Sequence, residues 1–150
     1  MPFIFTTDIK GYIDNALKET VYEVEGGTTN GNQPTFNGVP LFNASYILSG
    51  ELVHFRINVD FDNITSFGTG QYYMSLPFTS KYDMYTRNGQ LLDFSTGKKH
   101  PISGHVVAGS DQMLLLTTAN NADEVAFTSS VPFNLAVQDD FHISGSFIRS

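Results

Sequence analysis

No cysteine occurs anywhere in the 150-residue sequence, which excludes disulfides and thiolate metal sites and leaves packing alone to hold the fold. Charge is scarce as well. Asp, Glu, Lys and Arg supply 15% of the residues, against roughly 25% in an average soluble domain, so the surface is built largely from Ser, Thr, Asn, Gln and Gly. That composition suits a β-protein. Basic residues are thinnest where a polyanion would need them: Lys98-Lys99 is the one adjacent pair, and no Lys or Arg lies between Lys99 and Arg149, while Asp111, Asp123, Glu124, Asp139 and Asp140 do. With a formal net charge of -7, the chain lacks the clustered cations that nucleic acid or an anionic membrane demands. No apolar run approaches the roughly 18 residues of a membrane span, and "MPFIFTTDIK" has neither the basic flank nor the apolar length of a secretory signal. The expectation is a protein made inside a cell, with no nucleic-acid or membrane partner.

Catalytic and cofactor motifs are missing too. The stretch "SFGTGQYYMSLPF", residues 66 to 78, carries two glycines, but "GTGQYY" leads into a strand rather than the helix that a phosphate-cradling loop requires. "TGKKH" has a Gly-Lys pair, yet Leu92 stands where such a loop needs its first glycine. His54, His100, His105 and His142 fall in no metal-binding spacing, and no nucleophile elbow activates Ser103, Ser110 or Ser144. Asp60 and Asp62 open a calcium-loop pattern that fails at Ile64. Asn43 and Asn63 begin glycosylation sequons, which mean little without a secretory signal. The expectation is therefore no catalytic residue, no cofactor and no metal: a protein that is not an enzyme.

What the sequence does hold is two hydrophobic periods. Ile9, Tyr12, Ile13, Ala16 and Leu17 recur at helical spacing, with Thr6 or Thr7 as cap and Gly26-Gly27 as stop if Val21 and Val24 prolong the stripe. A helix this short is marginal alone, so its apolar side needs something to dock on. "EGGTTNGNQPTFNG" reads as a flexible linker. Residues 1–24 are thus expected to form an N-terminal arm, 25–38 a linker and 39–150 the body.

In the body the period becomes two. Val53, Phe55, Ile57, Val59 and Phe61 alternate with His54, Arg56, Asn58 and Asp60, predicting a strand with one buried face. Similar alternation runs through Phe42 to Leu48, Tyr72 to Phe78, Met113 to Leu115 and Phe141 to Phe147. Weaker strands are expected at 82–85, 90–94, 101–107 and 124–127, with turns at Ser49-Gly50, Asn88-Gly89, Gly109-Ser110 and Asn120-Asn121. The predicted class is all-β, an antiparallel jelly roll or β-sandwich with a short N-terminal helical arm. Alternation points Tyr72 inward and Tyr73 outward; Tyr73, Tyr82 and Tyr85 are candidates for a subunit or glycan contact.

The runs "QPTFNG", "LFNASYILSGELVHFRINVDFDNITSFGTGQYYMSLPF", "GKKHPISGHV" and "FHISGSFI" span most of residues 33 to 148. Together they resemble small virion proteins of tailed bacteriophages, especially those of marine and freshwater cyanobacteria. The resemblance implies a jelly-roll module akin in shape to the trimers of the C1q and tumour-necrosis-factor type, found at tail-fibre tips or as decoration of the virion surface. It leads to an expected function as a capsid cement or decoration protein, a homotrimer on the capsid surface of the virion, synthesised in the host cytoplasm. Its partner would be the major capsid protein or another virion protein. Phe3, Ile4, Phe5, Ile9, Tyr12, Ile13, Ala16 and Leu17 of the arm would make that contact. The alternative is a receptor-binding tail-fibre or tail-tip component that recognises a cell-surface glycan.

Overall fold

A computed structural model describes residues 18–118 and 123–150. These residues form twelve strands and, among them, no helix. The strands are β1 (Thr20–Tyr22), β2 (Gly26–Thr28), β3 (Thr35–Phe36), β4 (Leu41–Ser49), β5 (Leu52–Asp60) and β6 (Ile64–Ser66), then β7 (Tyr72–Ser75), β8 (Met84–Asp93), β9 (Lys98–Val106), β10 (Gln112–Thr118), β11 (Glu124–Ala126) and β12 (Asp140–Ile148). Ten of them join one sheet in the order β1-β4-β5-β12-β8-β9-β10-β7-β2, with β11 added to β10; β3 and β6 form a separate pair. Every pairing is antiparallel. The fold is all-β, of the β-sandwich class.

The chain itself explains why this sheet curls. β1 and β2 lie at opposite ends of the strand order, yet only Glu23, Val24 and Glu25 separate them. The four Cα steps from Tyr22 to Gly26 reach about 14 Å at most, so the two ends of the sheet must come close together. Ser75 stitches the junction: its N–H donates to the Glu25 carbonyl at 2.7 Å, its hydroxyl oxygen accepts from the Glu25 N–H at 2.8 Å, and its carbonyl accepts from the Tyr22 hydroxyl at 3.1 Å.

The inward faces of this half-barrel make the core. On β5, Val53, Phe55, Ile57 and Val59 are buried while His54, Arg56 and Asn58 are exposed, as the period-two pattern predicts. Phe141, Ile143 and Phe147 of β12 and Met113 and Leu115 of β10 face them from the same interior. An aromatic chain runs through one part of the core, from Tyr72 to Phe127 (5.1 Å between centroids), Phe141 (5.7 Å) and Phe61 (5.9 Å). Edge-to-face and tilted contacts of this kind add to area burial.

Three expectations need correction. Residues 25–38 are tied into the body instead of forming a flexible linker: β2 pairs with β7, β3 pairs with β6, and the Gln33 side chain bonds both the N–H and the C=O of Thr28. Their low apolar content is offset by backbone pairing with 66–71. Thr69 N–H reaches Asn32 O at 2.8 Å, and Thr29 N–H reaches Gln71 O at 2.9 Å. Gly68 (φ 67°) and Gly70 (φ 104°) allow this approach, since a Cβ on either would sit within 2.2 Å of a backbone oxygen of the 30–32 loop.

The second correction concerns the arm. Thr20 to Tyr22 is strand β1, Val21 is exposed and Val24 is buried, so neither valine prolongs a helical stripe, and Gly26-Gly27 belongs to β2. Arm residues Phe3, Ile4, Phe5, Ile9, Tyr12, Ile13, Ala16 and Leu17 lie outside the described residues, as does the Asn120-Asn121 turn. The third concerns Asn88-Gly89, which is no hairpin turn. It sits inside β8, which merges the expected 82–85 and 90–94 strands. The register passes from Thr86↔Gly104 to Gly89↔Ile102, so Arg87 and Asn88 together oppose Ser103 in a β-bulge. Ser49-Gly50 does turn, with Gly50 at φ 63° between β4 and β5.

Candidate interaction surface

The two outward faces of the sheet differ in chemistry. Across β4, β5, β12 and β8 the register lines up Asn43, Asn58, His142 and Gln90 in one row and Ser45, Arg56, Ser144 and Asn88 in the next. In the second of these rows Asn88 Nδ2 donates to Ser144 Oγ (2.6 Å), and in the next row His54 Nδ1 shares a hydrogen with Ser146 Oγ (2.6 Å). Arg56 Nε donates to Ser45 Oγ (3.0 Å), and Arg56 pairs with Glu19 at 2.9 Å. The pair is exposed and therefore worth at most about 1 kcal/mol. This face is polar, and its Ser45–Arg56, Ser144–Asn88 and His54–Ser146 pairs bond within it.

Across β8, β9, β10 and β7 the register instead aligns Tyr85, His105, Leu114 and Tyr73. Tyr85 is 61% exposed and stacks on His105 with centroids 4.1 Å apart and planes 7° apart. Tyr82 is exposed on the connection that precedes β8, with Lys81 Nζ 5.8 Å from its ring centre. Tyr73 is half-buried beside β2, whereas Tyr72 is buried and donates its hydroxyl to the Phe67 carbonyl at 2.5 Å. Of the predicted aromatic contacts, the structure puts Tyr73 and Tyr85 in one row and Tyr82 near its end.

One row along from the Tyr85–His105 pair lies a groove of about 400 Å³, lined among others by Arg87, Pro101, Ser103, Thr118, Asp123 and Glu124. Its floor is the buried Ser103, whose hydroxyl donates to Glu124 Oε1 at 2.8 Å. Arg87 Nε stands 3.7 Å from the same oxygen, past hydrogen-bond length, with its side chain 82% exposed. The bulge places Arg87 here. Sequence reading missed this group because its members come from β8, β9, β10 and β11, and no local spacing relates them.

The acidic residues do other work. Asp139 is buried, and its carboxylate accepts from Phe94 N–H (2.9 Å) and Ala136 N–H (2.7 Å), pinning the start of β12 to the β8–β9 turn. Asp93 accepts from the hydroxyls of Ser95 (2.7 Å) and Thr96 (2.6 Å), which hold its carboxyl below the usual range. Asp140 is pushed the other way, first by burial and then by the neighbouring Asp60 carboxylate. Asp60 is itself committed, accepting from Asp62 N–H at 2.8 Å.

Among the described residues no three His, Asp or Glu side chains gather in a metal-binding group, and no helix is long and apolar enough to cross a membrane. The histidines are spread out: His100 packs against Phe133 at 4.8 Å, and His142 is exposed on β12. Comparison with family models, curated proteins and solved structures finds no match for the chain.

Proposed function

We propose that the chain is a non-enzymatic structural protein of tailed-bacteriophage virions, a trimeric capsid decoration protein that attaches to the shell through its N-terminal arm. The observation that supports this reading is the division of apolar residues. The described core is assembled from positions between Val24 and Phe147, and the sequence carries a further apolar stripe from Phe3 to Leu17. The segment joining the two, Lys18 to Val21, is exposed at the sheet margin. In this reading the stripe is spent on a neighbouring polypeptide, where each large apolar side chain would contribute roughly 1.5 to 3 kcal/mol of gross burial, less the ordering cost. Co-sedimentation with empty capsids tests it: the full chain pellets with the shells and a chain lacking residues 1–17 stays in the supernatant. Binding by the truncated chain would refute the role of the arm. Sedimentation equilibrium tests the trimer separately, and a stable monomer at micromolar concentration would count against it.

A second reading, a tail component that recognises a cell-surface glycan, draws support from the exposed Tyr85–His105 stack beside the polar groove. Aromatic faces next to charged hydrogen-bonding groups are the usual composition of a selective small-ligand surface.

A further inference from the structure

We infer that the groove between the β8 bulge and β11 is a binding site for neutral saccharides, with Tyr85 and His105 as the stacking wall and Arg87, Ser103, Asp123 and Glu124 as the hydrogen-bonding floor and rim. The inference rests on the glycan reading above and adds to it a location, a ligand class and named contacts.

The chemistry of the lining selects the ligand. A saccharide presents hydroxyls that both donate and accept, on rings whose C–H faces are apolar. The groove offers carboxylate acceptors in Asp123 and Glu124, guanidinium donors in Arg87 and a hydroxyl in Thr118, all on one surface. Charged groups give the stronger hydrogen bonds. Arg87 has an 82% exposed side chain and is held, among the described residues, by a loose ion pair of 3.7 Å with Glu124, so turning to a ligand costs little. Ser103 fixes the Glu124 carboxylate from below, so that acceptor is held in place before a ligand arrives, and little order remains to be imposed on binding.

The wall lies within reach. His105 and Ser103 are two residues apart on β9 and project to the same side, a step of about 7 Å, so a single oligosaccharide spans floor and wall. Tyr85 has one ring face covered by His105 and remains 61% exposed, which leaves the other face for a sugar ring. Charge narrows the class further. One cation against two carboxylates makes the groove net negative, so uronic-acid, sialic-acid and sulfated sugars are repelled and neutral sugars are not.

The test is a nitrogen–proton correlation titration of the full chain with neutral hexasaccharides (cellohexaose, laminarihexaose and mannohexaose), with a heparin hexasaccharide as the anionic arm. The expected result is shifts confined to residues 85–87, 103–105, 116–118 and 123–126 for at least one neutral sugar and none for heparin. Arg87→Ala and Tyr85→Ala should each weaken that binding at least tenfold while leaving the remaining spectrum in place, and Glu124→Gln should weaken it less than Glu124→Ala. Binding that maps to another face would overturn this site and leave the glycan reading standing. No response to any neutral sugar would overturn both, and a preference for heparin would overturn the charge argument on which the ligand class rests.

Discussion

The hydroxyl of Tyr22 on β1 donates to the carbonyl of Ser75 on β7 at 3.1 Å, joining one end of the sheet's strand order to the strand beside its other end. Burial raises the Tyr22 phenol far above its ordinary pKa, so this donor stays protonated at any working pH. The bond marks the place where the sheet closes on itself, and it assigns residues 20–28 to the body.

It also sets where an arm deletion must stop. Removing residues 1–17 should leave thermal unfolding of the body unchanged within a few degrees. Removing residues 1–24 takes away β1, the Tyr22 bond and the buried Val24, and should cost about 3 kcal/mol or more. Differential scanning calorimetry of the two truncations checks this, and equal stability would show that closure at Ser75 contributes little.

Gly70 provides a second test. Its φ of 104° and the approach of the Asn30 carbonyl leave no room for a side chain. Gly70→Ala should destabilise by about 1–2 kcal/mol from the left-handed backbone alone, with the clash adding to it, and urea unfolding would register the loss. Gly50→Ala, where φ is 63° but nothing lies nearby, should cost the backbone part only.

The pH dependence of stability follows from Asp140 and Asp93, with opposite signs. Asp140 has its native pKa raised by burial and by Asp60, so the native state holds the proton more tightly than the unfolded chain. Stability from this group is full below the ordinary Asp range near 4 and is lost as pH rises through the native value. Asp140→Asn should therefore raise the melting temperature at about pH 7 and leave it unchanged near pH 3. Asp93 has its native pKa lowered by Ser95 and Thr96; its contribution is present above the ordinary range and lost as pH falls through the native value. Asp93→Ala should lower the melting temperature at about pH 7, and the difference should shrink in acid.

Much of the scaffold was legible because β5 and β12 alternate strictly, so that Val53 to Val59 and Phe141 to Phe147 declare both their period and their buried face. Residues 25–38 were misread for a physical reason. Glycine, asparagine and threonine bury little, and what orders them is backbone pairing to Gly68–Gln71, a long-range relation that composition does not carry. Asn88-Gly89 has turn chemistry, but a bulge uses the same residues, and Gly89 is needed where a Cβ would meet the Ile102 carbonyl at 2.6 Å. The facing of Tyr72 and Tyr73 followed from alternation, Tyr72 being buried and Tyr73 half-buried; the exposure of Tyr85 did not. The groove did not, since Arg87, Ser103 and Glu124 converge only through the pairings of β8 with β9, β9 with β10 and β10 with β11.

The proposal that the chain decorates a capsid is tested most directly by immuno-electron microscopy of tailed-phage particles with an antibody raised against residues 18–150. The account predicts label spread over the shell of intact virions, at regular spacing. Label confined to the tail tip, or absent from purified particles, would contradict it.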